Sequence, residues 1–496
     1  MFKRLLIANR GEIAVRVIRA CRELGTESVA VYSDADARAL HVLLADRAVR
    51  LGPASPAESY LSIDAVLAAA RQVQAEAIHP GYGFLAESAA FAAACARAGI
   101  AFVGPPADVI ARLGSKIAAR ALAAEAGIPV VPGSVPIDQR DETIAGAARR
   151  VGFPLLVKPS AGGGGIGMKT VREEALLPPA IAQARREAIA AFGDGALYLE
   201  RLIERPRHVE VQILADHHGG VVHLFERECS LQRRHQKVVE ETPSPAVTPA
   251  LRARLGEAAV RLAQQAGYRN AGTVEFLLEG TGDQARFYFL EVNTRLQVEH
   301  PITEQVTGVD LVRAQIAIAA GEPLAWAQEN LRQRGHAIEV RVYAEDPARD
   351  YLPQAGRLLL YRQPSMPGVR IDSGVAEGDD ISVHYDPLIA KLVAQAETRE
   401  AARRRALAAL REFPVLGIRT NASFLMALLE HPRVVGGDTD TRLVDEERDA
   451  LIARLAGTPP AEAMAAARAV PAAETGATGA DSPAADPWSA LRGWRG

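Results

Sequence analysis

The chain is poor in the features that would place it outside the cell or in a membrane. Its cysteines are three, Cys21, Cys95 and Cys229, odd in number and widely spaced. With no C-x-x-C pair among them, a disulfide framework and a zinc site are both disfavoured, and a reducing cytosol suits the chain. No stretch approaches ~18 apolar residues, so no membrane span is expected. The opening M-F-K-R-L-L-I-A-N-R holds an apolar run too short for a signal-peptide core. A cytoplasmic location is the expectation. A formal net charge of −3 offers no broad basic surface for nucleic acid or membrane. Two familiar nucleotide signatures are missing as well. The first strand-to-helix turn, N-R-G-E, has one glycine where a dinucleotide fingerprint wants three, and the chain's glycine run lacks the G-K-[S/T] of a P-loop. Internal repeats are absent.

What is present is ordinary in bulk. The 496 residues, 48% hydrophobic and 24% charged, suit a soluble globular protein with a sizeable core. Length alone suggests about three domains of ~150 residues. Up to about residue 110, short apolar runs (Leu5 to Ala8, Ser28 to Tyr32, Ala48 to Leu51, Ala77 to His79, Ala101 to Val103) alternate with amphipathic ones (Ile13 to Leu24, Ile63 to Gln74, Ser88 to Ala98). That βαβ alternation predicts a doubly wound parallel sheet. H-P-G-Y-G-F-L-A-E, His79 to Glu87, then falls at a strand's C-terminal end, where α/β ligands gather. His79 itself is given no chemistry. A helical stretch, Lys116 to Ala126, leads into an α+β segment, and a third region opens with the strand-like A-I-E-V-R-V-Y-A-E. Past about Gly457 the composition turns to Ala, Pro, Gly, Thr and Ser, which predicts a linker or disorder.

The most telling segment lies between Thr273 and Pro301. Apolar runs, Thr273 to Leu278 and Phe287 to Val292, flank a Gly/Thr/Asp turn, so a β-hairpin is predicted. Alternation puts Glu291 and Asn293 on one face, and the simplest register brings Glu275 beside them. Carboxylates with an amide oxygen make the all-oxygen set that Mg²⁺ prefers. Arg295, Gln297 and Glu299 follow, placing a cation, an amide and a candidate base next to that metal. Upstream, strand-like F-P-L-L-V-K-P and M-K-T-V enclose S-A-G-G-G-G-I-G. Glycines there can lay backbone N–H groups on phosphate oxygens, and Lys158 would meet the same phosphates. Lys116 follows L-G-S. The cluster R-P-R-H-V-E-V-Q carries His208 and Glu210, and Gln232, Arg233, Arg234, His235 and Lys237 crowd donors together. Such a run is either a solvated face or a site for small anions.

Taken together, the glycine loop, R-R-H-Q-K-V-V-E-E, E-x-N-T-R-x-Q-V-E-H-P and A-E-D-P (Ala344 to Pro347) resemble biotin carboxylase, the ATP-grasp component of biotin-dependent carboxylases. The likeness runs from residue 3 to about 450. It implies an α/β fold: an N-terminal doubly wound domain over 1–113, an ATP-grasp domain over 114–330 with a mobile lid at about 131–203, and a C-terminal α+β domain over 331–450, before a disordered tail at 456–496. It also implies roles. Lys116, Lys158, Gly164, Gly165 and His208 would hold ATP phosphates. Glu200, Arg201, Leu202 and Ile203 would line the adenine pocket, with Gln232 and His235 near the nucleoside. Glu275, Glu291 and Asn293 would hold Mg²⁺ or Mn²⁺, two ions in all. Lys237, Arg295, Gln297 and the Val298 backbone would bind bicarbonate, with Glu299 taking its proton. Arg341 would face the biotin ureido oxygen, and Tyr82 and Asp386 match the family pattern nearby.

Bicarbonate is a poor nucleophile, so a base and a cationic pocket must expose its oxygen to the γ-phosphate. The rest is positioning and electrostatics in a closed, dry site. Two departures from the family stand out. Ile166 replaces an Arg or Lys of the glycine loop, and Ala161 replaces a frequent glycine. The lysine between methionines of a biotinyl domain is also missing, since Ala465 follows Met464. Biotin is therefore expected on a separate carboxyl carrier protein, with carboxyltransferase subunits as further partners and a homodimer as the assembly. The ending D-P-W-S-A-L-R-G-W-R-G resembles the start of the region beyond the carboxylase in fused α-subunits. Two other readings stay open: an ATP-grasp ligase for another nitrogen acceptor, and an ATP-binding subunit of low turnover.

Overall fold

A computed structural model describes residues 1–136, 138–160, 167–234 and 236–455. The predicted N-terminal alternation folds as a parallel sheet of Arg4–Ile7, Glu27–Ser33, Arg47–Gly52, Ala77–His79 and Ala101–Phe102. Their spatial order is third, second, first, fourth, fifth. Because the order reverses between the first and fourth strands, a crevice opens at their C-terminal ends. Asn9 to Glu12 and the His79 to Glu87 loop both leave the sheet there. The helix Gly11–Leu24 buries Ile13, Val17, Ile18 and Cys21, and Gly25 ends it in the left-handed conformation at φ 67°. That conformation costs other residues a Cβ clash, which explains a glycine at the stop.

The second layer is an antiparallel sheet of eight strands. In spatial order these are Arg286–Asn293, Asn270–Glu279, Arg207–Ala215, Val221–Arg233, Gln236–Thr242, His336–Tyr343, Leu388–Ala396 and Val369–Ser373. The strand that opens the third region thus continues the sheet of the second through Gln236–Thr242, joining what the sequence presents as separate stretches. The helix Pro249–Ala266 packs Leu251, Leu255, Ala259 and Leu262 against Val209, Val211, Phe276 and Phe287. At the other end, Arg399–Arg411 covers the third-region strands with Ala402, Ala406 and Leu410. Deep aliphatic burial of this kind is worth about 1.5–3 kcal/mol per large side chain.

A smaller sheet of Gly133–Ser134, Leu197–Arg201, Leu155–Pro159 and Lys169–Val171 is backed by the helices Asp141–Val151 and Leu177–Phe192. It has its own core of Ile144, Leu155, Val157, Ile181, Leu197 and Leu199, and it spans the range expected for a lid. Leu155–Pro159 and Lys169–Val171, the strands expected on either side of the glycine loop, pair antiparallel. The expectations placed on Ala161, Gly164, Gly165, Ile166, His235 and the tail at 456–496 lie outside the described residues.

Candidate active site

The hairpin forms, but not in the simplest register, which would set Glu275 opposite Leu290. Glu275 stands opposite Glu291 and Thr273 opposite Asn293, with a bulge just after Glu275. Glu275, Glu291 and Asn293 all line one cavity. Asn293 Nδ2 donates to Glu275 Oε1 at 2.8 Å. Among the described residues, the ion-pair partner of Glu291 is Lys116 Nζ at 3.5 Å, so this carboxylate keeps lone pairs for another cation. The oxygen donors and the spare coordination fit a Mg²⁺ carrying phosphate oxygens.

On the neighbouring strand Arg207–Ala215, Glu210 pairs with Glu275. Lys237 reaches both from the strand Gln236–Thr242. Its Nζ lies 2.5 Å from Glu210 Oε2, 3.0 Å from Glu275 Oε1 and 2.6 Å from Glu299 Oε1. Burial opposes the ammonium, but Glu210, Glu275 and Glu299 outweigh it and push the pKa of Lys237 well up. Burial likewise opposes ionisation of Glu275, yet Lys237 and His208 hold it down at about 2. His208 Nε2 sits 3.2 Å from Glu275 Oε2. Burial disfavours its charge, but the Glu275 carboxylate prevails and raises it to about 9, so it is cationic at neutral pH. Behind them Arg227, wholly buried, donates to Glu210 at 2.5 Å, Gln212 at 2.8 Å and Thr303 at 3.0 Å.

Glu299 is the junction. One oxygen takes Lys237; the other takes Arg341 Nη2 at 2.9 Å. Arg341 Nε donates in turn to Glu240 at 2.6 Å. Glu240 is raised to about 7, first by burial, which Arg341 only partly offsets. Arg295 binds Gln297 Oε1 and Asn293 Oδ1, each at 3.2 Å, and is held from behind by Glu87 at 2.9 Å. Gln297 Nε2 returns to Glu275 Oε1 at 3.2 Å.

The opposite end of the cavity is drier. Leu156, Met168, Leu202, Ile203, Leu277 and Leu290 line it, walls suited to the faces of a planar heterocycle. Lys158 Nζ and Arg120 Nη1 both hold Glu200, at 2.5 and 2.7 Å. The whole cavity is about 620 Å³ and also takes in Lys116, Arg201, His208, Gln232, Lys237, Arg295, Gln297, Val298 and Arg341. That volume accommodates a nucleoside triphosphate with a small anion beside it.

The structure therefore brings together nearly every described residue that the sequence singled out. It also redistributes some. Arg233 and Arg234 leave the anion cluster: Arg233 pairs with Glu345 and stacks on Tyr351 at 4.3 Å, while Arg234 pairs with Asp350 at 2.7 Å. For Arg233 alternation is the reason, since it faces the other way from Gln232; Arg234 lies past the end of the strand Val221–Arg233, in a turn at φ 46°. Tyr82 lies outside the cavity lining, and its hydroxyl donates to Glu12. Asp386 has its carboxyl raised by burial and accepts from the Leu388 N–H at 2.9 Å. His79 is structural, its Nε2 3.2 Å from Gln315 and its pKa lowered to about 4 by burial. Sequence reasoning gave no role to Glu87, Arg120, Arg227 or Glu240, although Glu87 closes the His79 to Glu87 loop and Glu240 stands in R-R-H-Q-K-V-V-E-E.

Three family models match the chain. They are the biotin carboxylase N-terminal domain over residues 1–110, the ATP-binding domain of the carbamoyl-phosphate synthase L chain over 115–327, and the biotin carboxylase C-terminal domain over 339–446. The chain is 51% identical to a biotin carboxylase from Halalkalibacterium halodurans, over 90% of this chain and 97% of that one. It is 47% identical to a biotin carboxylase from Bacillus subtilis, over 90% of this chain and 98% of that one. Among solved structures it resembles the biotin carboxylase domain dimer of Hydrogenobacter thermophilus 2-oxoglutarate carboxylase, in complex with MgADP, ADP and bicarbonate. That match has a TM-score of 0.87 at 43% identity, covering 91% of this chain and 99% of that one.

Proposed function

The chain belongs to the biotin carboxylase family, and from that premise we propose how its residues share the work. The protein is a ligase that carboxylates biotin at the expense of ATP, with bicarbonate as the carbon source. The observation that carries the residue assignment is the Glu299 junction. A carboxylate held by Lys237 on one oxygen and Arg341 on the other lies directly behind these two cavity-lining cations, and Lys116 and Lys158 line the same cavity.

Bicarbonate fits between Arg295, Gln297, Lys237 and the Val298 backbone. Glu299 takes its proton, and the freed oxygen attacks the γ-phosphorus while ADP leaves, forming carboxyphosphate. Lys116, Lys158 and His208 balance the charge of the phosphates, with Gly164 and Gly165 offering backbone N–H groups. The adenine lies against Ile203 and Leu202, with Glu200 and Arg201 at its rim and Gln232 and His235 on the nucleoside side. Glu275, Glu291 and Asn293 would hold Mg²⁺ or Mn²⁺, as two ions, and such ions neutralise developing charge on the transferring phosphoryl group. Carboxyphosphate then parts into CO₂ and phosphate, the phosphate takes the N1′ proton of biotin, and N1′ captures the CO₂. Arg341 steadies the negative ureido oxygen, with Tyr82 and Asp386 bordering that end.

We further assign the biotin to a separate carrier protein and the carboxyl group's onward transfer to carboxyltransferase subunits of an acyl-CoA carboxylase. A homodimer in the cytoplasm is part of the same proposal. Buried free thiols at Cys21, Cys95 and Cys229 suit that compartment, and no described helix is long and apolar enough to cross a membrane. The domain limits 1–113, 114–330 and 331–450 go with it. The test is ADP release with Mg-ATP and bicarbonate, with and without free biotin. Biotin should stimulate turnover in the natural protein and fail to do so in Arg341→Met. Bicarbonate-dependent turnover indifferent to biotin would refute the acceptor assignment.

A further inference from the structure

Lys391, the last residue of the segment Y-D-P-L-I-A-K, is fully buried. It belongs to the strand Leu388–Ala396, directly opposite Arg341 on one side and Asp372 on the other. Residues facing each other across strands share a face of the sheet. Arg341 and Lys391 use that face alike. Arg341 Nη2 holds the Glu299 carboxylate at 2.9 Å, and Lys391 Nζ donates to the Val298 carbonyl at 3.0 Å. One rung of the sheet therefore grips two consecutive residues of the bicarbonate loop, one by its side chain and one by its main chain.

The charge of Lys391 is met from two other regions. Glu12, on the first helix of the N-terminal sheet, places Oε2 3.1 Å from Nζ, and Asp372 stands at 3.9 Å. The other Glu12 oxygen accepts from the Tyr82 hydroxyl. A buried ammonium needs such anions, because desolvating it unpaired costs several kcal/mol. Neutralisation alone does not require its remaining bond to fall on the Val298 carbonyl. That bond fixes the plane of the peptide joining Val298 to Glu299, and with it the point from which the Glu299 side chain departs.

We propose that Lys391 is a positioning residue for bicarbonate, locking the Val298–Glu299 peptide and coupling it through Glu12 to the N-terminal sheet. The inference rests on the bicarbonate site proposed above. Misplacing a positioned group by about 1 Å can cost about a hundredfold in rate. Lysine loss should therefore fall on bicarbonate and spare the nucleotide, which is held by residues elsewhere in the cavity.

The test compares Lys391→Met, Glu12→Gln and the double variant. Lys391→Met alone strands a buried Glu12 carboxylate and invites misfolding. The double variant removes both charges, while Gln keeps an acceptor for the Tyr82 hydroxyl. ADP release is titrated against bicarbonate and, separately, against ATP, and MgADP binding is followed by calorimetry. The expected result, in the double variant as in Lys391→Met, is a bicarbonate KM raised about tenfold or more, with ATP KM and MgADP Kd within about twofold of the natural protein. A merely structural lysine would move both substrates together or neither. A bicarbonate KM within about twofold of the natural value in the folded double variant overturns the proposal, as does an ATP KM that rises in step. Natural protein without any bicarbonate-dependent turnover overturns the site reading itself, and the role of Lys391 falls with it.

Discussion

Replacing Glu339 by glutamine should make the protein progressively more stable than its parent as pH rises. Glu339 lies opposite Glu240 across the strands Gln236–Thr242 and His336–Tyr343. It is fully buried, and neither of its carboxyl oxygens has a hydrogen-bond partner among the described residues. Burial drives its pKa well up; Lys391 pulls the other way, and Glu240 adds to the rise. In the unfolded chain the same group ionises near 4.5. Between that value and the raised one, the folded protein keeps a proton that the unfolded chain has released. Stability from this group is therefore full below the unfolded value and is lost as pH climbs toward the folded value. The slope approaches about 1.4 kcal/mol per pH unit.

Glutamine keeps the shape and neutrality of the protonated acid and removes its titration. Every other titrating group, Glu240 and Lys391 included, is shared by the two proteins and largely cancels in their difference. The advantage of the variant should then grow steadily as pH rises above the unfolded value near 4.5. Urea unfolding of both proteins at matched pH measures it, read as a difference so that a common denatured state drops out. Parallel stability curves would mean that Glu339 ionises in the folded state like its free counterpart, and the account of this buried pair would be wrong.

Two further outcomes follow from the site and the core. Glu291→Gln removes a carboxylate whose described ion-pair partner is Lys116 at 3.5 Å. Turnover should then need about tenfold more Mg²⁺, and chelation should abolish activity in the natural protein until Mg²⁺ is restored; an unchanged Mg²⁺ requirement would remove Glu291 from the ligand set. Phe276→Ala empties a fully buried position where the ring meets Phe287 edge-on at 5.4 Å. A loss of about 3–5 kcal/mol by denaturant unfolding is expected.

Local pattern made the hairpin legible. Alternation alone set Glu291 and Asn293 on one face, but the bulge that skips Leu290 and sets Glu275 opposite Glu291 had no signal in the pattern. The parallel N-terminal sheet was legible from local pattern too, since short continuous apolar runs alternated with amphipathic runs of period 3.6. The R-R-H-Q-K run stayed open between two readings because composition groups donors that the strand separates, alternation already setting Arg233 apart from Gln232. What stayed hidden is what long-range pairing supplies. Arg295 leans on Glu87, 208 residues away, and Lys391 on Glu12 of the first helix. Both acids lie in segments the sequence had marked, Glu12 closing the N-R-G-E turn and Glu87 the His79 to Glu87 loop, but only the assembled sheets decide which carboxylate meets which cation.

Those hidden partners change how substrate entry should be understood. Lys158 and Arg120 are engaged by Glu200, Lys237 by Glu210, Glu275 and Glu299, Arg341 by Glu240 and Glu299, and Arg295 by Glu87. Of these, Lys158, Lys237, Arg341 and Arg295 line the cavity proposed to take the anionic substrates, and each already has an internal anion. Substrate must therefore exchange ion pairs rather than find bare charges. Exchange lowers the net gain from any one contact, because breaking a buried pair has its own cost. It also raises discrimination, since an anion that satisfies only some of the cations leaves carboxylates stranded and pays for them. In the proposed mechanism bicarbonate takes Lys237 partly away from Glu299, the carboxylate assigned to receive its proton, so ion-pair exchange and proton transfer fall on the same pair of side chains.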